Sequence, residues 1–194
     1  MANTPTPMSA NHLQVFNPDA LYVTPYDKNE VRGTVTYKLT EVIRDTTTIS
    51  QEDPTENKIE NEFGSAPILN NVQLGSYTFS AEVADMQQDL LADLCGYIKG
   101  GADSSGRTFA PSTYTPVYAE IALVFKTKAN TYVAAVLPKV QLNSKATFDS
   151  LSTSMGRITL AGTGLNIALA DKDADGKTIE SPFYIDSNWS TSEL

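Results

Sequence analysis

"GSYTFSAEVADMQQDLLADLCGYIKGG", residues 75–101, changes its period halfway along. Through Val83 the apolar residues alternate: Tyr77, Phe79, Ala81 and Val83 take one side and Ser76, Thr78, Ser80 and Glu82 the other. That is the signature of a half-buried strand. Beyond it Val83, Met86, Leu90, Leu94 and Tyr97 recur at spacings of three and four, while Asp85, Asp89 and Asp93 stand four apart. This second period predicts one amphipathic helix over about 84–98, stopped by Gly100-Gly101.

Outward from this stretch the period is two. In "GTVTYKLTEVI" (33–43) Val35, Tyr37 and Leu39 share a face, with threonines and Lys38 opposite. "VYAEIALVF" (117–125) and "TYVAAVL" (131–137), separated by "KTKAN", read as a hairpin of more fully buried strands. "GRITLAG" (156–162), "LNIALA" (165–170) and "ESPFYID" (180–186) add short strands rich in β-branched and aromatic residues. Residues 1–17, rich in Pro, Asn and Thr and without periodicity, read as a flexible arm. Residues 18–194 then form a single domain. The expected fold is mainly β: an antiparallel β-sandwich or barrel with one α-helix and a long protruding hairpin at about 44–72.

Length and composition narrow the possibilities. The 194 residues, 41% of them hydrophobic, suffice for one sizeable core. Nothing approaches 18 consecutive apolar residues, so no membrane-spanning helix is expected. "MANTPTPMSANHLQ" has neither a basic start nor an apolar run and is not expected to be a signal peptide. The single Cys95 excludes an internal disulfide and suits a reducing compartment. The net charge of −9 is uneven: residues 44–72 carry six acids and two bases, a net of −4, and residues 171–194 the same. Residues 100–170 carry three acids and six bases, a net of +3. An acidic chain is a poor candidate for gripping phosphates, since that affinity comes mainly from Lys and Arg, so duplex DNA is not an expected ligand. Opposed patches can instead attract one copy to another.

Catalytic chemistry finds little to use. The one histidine, His12, lies in the arm, which removes a Ser-His-Asp triad and a histidine zinc site from the core. There is no phosphate-cradling glycine loop. We therefore expect no enzyme, no catalytic residue and no cofactor. The aspartate stripe of the helix is its solvated face, and Cys95 a core thiol. "DKDADGKTIESP" from Asp171 matches the first half of a calcium loop, with Asp171, Asp173 and Asp175 as weak metal candidates. Its twelfth position, however, is Pro182 instead of a bidentate Glu, and Glu180 comes two residues early. An Asp-Gly turn between strands accounts for the same residues. Trp189 is read as a plug over the last strand, with an anchor for a neighbouring copy as the alternative.

"DPTENKIENEFGSAPI" (53–68) fits neither a plain loop nor a buried strand, since Ile59, Phe63 and Ile68 are interspersed with Glu56, Glu60 and Glu62. The order of this acidic excursion, the strand "GSYTFSAEV", the helix "DMQQDLLADLCGY", a long hairpin and "PKVQL" resembles the major tail tube proteins of long-tailed bacteriophages. More distantly it is similar to the tube proteins of contractile tails and type VI secretion systems. The pattern "x-PT-x-N-x-I-x-x-E-F … G-x-x-TF … LL-x-x-L-x-G" between Asp53 and Gly96 carries the likeness. The resemblance implies hexameric rings stacked head to tail into a hollow tube in the virion tail, assembled in the bacterial host cytoplasm. DNA would pass through without specific binding, and tape-measure and tail terminator proteins would be partners. It also implies that the hairpin reaches an adjacent ring, with Glu56, Ile59, Glu60, Glu62, Phe63 and Ile68 as its stacking residues. Met86, Leu90, Leu94 and Tyr97 are the expected helix core. A β-sandwich module for carbohydrate or calcium is the alternative from another class.

Overall fold

The computed structural model describes residues 15–59, 69–127, 130–148 and 156–190. Before the helix run β1 (Val15–Pro25), β2 (Tyr37–Leu39), β3 (Thr48–Gln51), β4 (Thr55–Ile59), β5 (Leu69–Gln73) and β6 (Tyr77–Val83). The helix α1 (Gln88–Cys95) is followed by β7 (Ile98–Lys99), a 3-10 turn (Ala102–Ser104) and β8 (Thr108–Phe109). Then come β9 (Val117–Thr127), β10 (Tyr132–Leu142), β11 (Lys145–Thr147) and β12 (Arg157–Gly164). Last are β13 (Ile167–Lys172), β14 (Thr178–Ser181) and β15 (Tyr184–Asp186).

The architecture is mainly β, with one helix and one large antiparallel sheet in the order β2-β1-β9-β10-β12-β6-β3, to which β11 adds on β12 and β15 on β10. Its two ends, β2 and β3, do not pair, so among the described residues the sheet is open and not a closed barrel. It is bent over, because one cluster holds Leu21 of β1, Ile121 of β9 and Leu137 of β10 together with Phe79 of β6 and Leu160 of β12. Leu90, Leu91 and Leu94 of α1 close that core, at 3%, 8% and 1% exposure. Each such leucine contributes about 1.5–3 kcal/mol relative to leaving it in water.

The middle of the sheet is buried on both faces. Opposite the main core, Ala20 and Tyr22 of β1, Ala122 and Val124 of β9, and Ala134 and Val136 of β10 form a second cluster under Trp189. The three alanines leave room for the indole plate. Double burial explains why β9 and β10 read as near-continuous apolar runs, and they pair as the expected hairpin, with register from Tyr132↔Lys126 to Leu142↔Val117 and a shift between Leu137 and Val140.

Four boundaries differ from the sequence reading. The helix spans eight residues, not about 84–98. Gln87 is extended at its start, and Gly96 adopts a left-handed φ of 71° at its end, so the chain turns out four residues before Gly100. There the N–H groups of Gly96 and Tyr97 donate back to the carbonyls of Ala92 and Leu91. Met86 and Tyr97 therefore flank the helix instead of belonging to it, although both are half-buried against the core. In the second case only Tyr37–Leu39 of the 33–43 run is strand, and Val35 is 57% exposed instead of facing inward with Tyr37 and Leu39. Thirdly, β1 begins at Val15, opposite Thr127, so strand pairing reaches into the stretch read as the arm. His12 lies outside the described residues. Fourthly, the excursion at 44–72 is not one hairpin: β3 joins the main sheet through Thr48↔Ser80 to Gln51↔Tyr77. Only β4 and β5 project.

Candidate assembly surfaces

β4 and β5 make a two-stranded ladder of their own, from Thr55↔Gln73 to Ile59↔Leu69. It continues the β3–β6 pair past an irregular base where Glu52 N–H donates to the Ser76 carbonyl at 2.9 Å. That base is tight enough to require Gly75: a β-carbon there would lie 1.8 Å from the Glu52 carbonyl oxygen. Glu52, Asp53 and Glu56 are exposed, as are Val72 at 51% and Leu74 at 82%. An isolated two-stranded ribbon is marginal in water, so a ribbon that also exposes Val and Leu is suited to contact with a partner. Of the residues expected to stack, Glu56 lies on β4 and Ile59 ends it; Glu60, Glu62, Phe63 and Ile68 lie outside the described residues. Val72 and Leu74 were not singled out in the sequence, although "NVQLG" alternates as a strand should.

The three aspartates near the helix go to three separate tasks. Asp85 accepts from the backbone and side-chain amides of Gln87, at 3.1 and 3.0 Å. Asp89 pairs with Lys99 at 2.7 Å. Asp93 accepts from the Tyr37 hydroxyl and so ties α1 to β2. Burial, with the Asp93 carboxylate second, pushes the Tyr37 hydroxyl well above its ordinary range. Cys95 packs against the main core, and burial pushes its thiol up to about 11, a poor setting for a nucleophile.

At the other end of the chain "DKDADG" closes the β13–β14 ribbon as the turn reading has it. Asp173 Oδ1 accepts from the N–H groups of Asp175 and Lys177 at 2.9 and 2.8 Å, and Gly176 takes a φ of 78°. Asp171 lies within β13. Trp189 is 8% exposed and, among the described residues, its indole nitrogen has no hydrogen-bond partner. It seals the second cluster, the plug of the two readings.

A pinned loop from Tyr26 to Gly33 completes the exterior. Lys139, its side chain 13% exposed, pairs with Glu30 at 2.7 Å. The same ammonium sits over the rings of Tyr26 and Tyr118, at 5.4 and 4.8 Å from their centroids. Arg32 grips Glu120 with two hydrogen bonds of 2.8 Å, and the Tyr26 hydroxyl donates to the Pro138 carbonyl at 2.7 Å. These contacts hold the loop in place while Val31, within it, stays 60% exposed.

No protein-family model matches the chain, and no curated protein matches it in sequence. Among solved structures, a chain in the cryo-EM structure of the anti-feeding prophage baseplate, 6-fold symmetrised, is similar at a TM-score of 0.38 and 8% identity. The match covers 85% of this chain and 91% of that one. The likeness is distant.

Proposed function

We propose that this chain is a structural, non-catalytic subunit of a viral tail tube, which assembles into hexameric rings stacked head to tail around a channel for DNA. The observation that carries the reading is the β4–β5 ribbon: an acidic, partly apolar projection continuing the main sheet, whose Val72 and Leu74 have no core to enter. A projection meeting a different surface of the next copy makes a heterologous contact, and such contacts generate rings and open filaments. The net charge of −9 supports a lumen that repels phosphates and lets DNA slide. Under this reading tape-measure and tail terminator proteins are further partners, the virion tail is the location, and assembly takes place in the host cytoplasm. Within the class we place the non-contractile long tail ahead of contractile-tail and type VI tubes, on the strength of the Asp53 to Gly96 pattern.

Negative-stain microscopy of concentrated purified protein tests the class, with rings or tubes expected and uniform small particles at every concentration counting against it. A variant with residues 54–73 replaced by a short Gly-Ser turn tests the ribbon. It preserves Gln51↔Tyr77 pairing and the Gly75 approach, so far-UV circular dichroism and melting temperature should hold while tubes are lost.

A further inference from the structure

The segment between α1 and β9 carries a second apolar projection. In the short β7–β8 ladder Ile98 stands directly opposite Phe109, and the two are 57% and 45% exposed. Adjacent apolar side chains this open regain their burial energy only against another molecule. The ladder is held rigidly: Lys99 pairs with Asp89 at 2.7 Å, and the carbonyl of Arg107 accepts from Gln88 Nε2 at 2.7 Å and from Gly100 N–H at 2.9 Å. The first turn of α1 therefore fixes the pair pointing outward.

The β4–β5 ribbon offers matching chemistry. Val72 and Leu74 are two apart and share a side of an extended segment, with exposed Glu52 and Asp53 across the ribbon base. Residues 52–59 hold Glu52, Asp53 and Glu56 against Lys58, a net of −2, whereas in the receiving segment Lys99 is taken up by Asp89 and the exposed Arg107 is the cation placed to face them. The patches also leave opposite ends of β6. The ribbon enters it at Tyr77 and the segment to α1 departs at Val83, about 20 Å further along at the rise of an extended strand. Complementary patches at opposite ends of a body join copies in series.

We infer that the Ile98–Phe109 ladder is the surface that receives the β4–β5 ribbon of a second copy of this chain, with Arg107 facing the acids of the ribbon base. The inference rests on the tube reading for the identity of the occupant. Sedimentation velocity and negative-stain imaging over a concentration series, on the full chain, test it. Ile98→Asp with Phe109→Asp changes only exposed side chains and should leave the melting temperature unchanged while raising the concentration needed for association at least tenfold. Arg107→Glu should raise it several-fold, and adding Asp53→Arg in the same chain should restore it. Normal tubes from the double-Asp variant would overturn the receiving surface and leave the tube reading intact. Association of the parent into finite oligomers only, abolished by that variant, would support the surface and overturn the tube. A parent that stays monomeric throughout would overturn both.

Discussion

Removing the Trp189 side chain should expose how much of this fold depends on its second, smaller core. Trp189 is 8% exposed and covers Ala20, Ala122, Ala134 and their neighbours on the outer face of β1, β9 and β10. Trp189→Ala takes away an aromatic plate and leaves a cavity over residues too small to collapse into it. Deletions of that kind cost about 3–5 kcal/mol. For a chain of this size, at about 3 °C per kcal/mol, a loss of roughly 4 kcal/mol lowers the melting temperature by about 12 °C. Trp189→Phe should behave differently, because the indole N–H is buried without a partner among the described residues. Phe forfeits part of the packing but relieves a desolvated donor that costs about 1–3 kcal/mol, so the net change should lie within about 1 kcal/mol. Urea unfolding followed by far-UV circular dichroism is the assay, since both variants lose the only tryptophan. A Trp189→Ala protein within 1 kcal/mol of the parent would refute the plug. It would also revive the alternative of an anchor for a neighbouring copy. Equal losses in the two variants would refute the reasoning about the unpaired N–H.

Three further outcomes are expected. Tyr37 and Tyr184 are both raised, chiefly by burial, with Tyr184 pushed up to about 12. The unfolded chain therefore releases its tyrosine protons first, so stability should be intact below pH 10 and fall as pH rises towards 12 and beyond; a spectrophotometric titration with a single midpoint near 10 for all tyrosines would contradict this. Cys95, raised to about 11 by burial, should react with a thiol reagent at pH 8 at least a hundredfold more slowly in the folded protein than in denaturant, and equal rates would place it outside the core. Lys139→Ala should cost about 2 kcal/mol by losing two ring contacts and a half-buried stem, with Lys139→Met recovering the part due to the stem, as measured by chemical denaturation.

Local periodicity made much of this protein legible. The β9–β10 hairpin, the strand at 77–83, the leucines of α1 and the turn at Asp173–Gly176 all follow from patterns a few residues long, because side-chain direction along a strand or helix is a local property. The acidic excursion stood out in the sequence because its charges forbid burial and its apolar residues disfavour exposure, and β4 and β5 indeed form a ladder of their own outside the main sheet. What no local pattern contains is the identity of a strand's neighbour. "TISQ" at 48–51 shows no usable period, and it becomes strand β3 because Thr48 and Ser50 meet Ser80 and Thr78 on β6, with hydroxyls 3.0 Å apart in each pair. The middle of β1, from Ala20 to Val23, is buried on both faces because two clusters built with β9 and β10, about a hundred residues away, cover it. Helix length was decided by Gly96 going left-handed where Tyr97 must turn back to the core, a choice that packing makes. Ile98 and Phe109 bracket a Gly/Ser-rich loop and look like stray apolar residues in the sequence. Only the ladder of β7 and β8, braced on Asp89 and Gln88, sets them side by side at the surface.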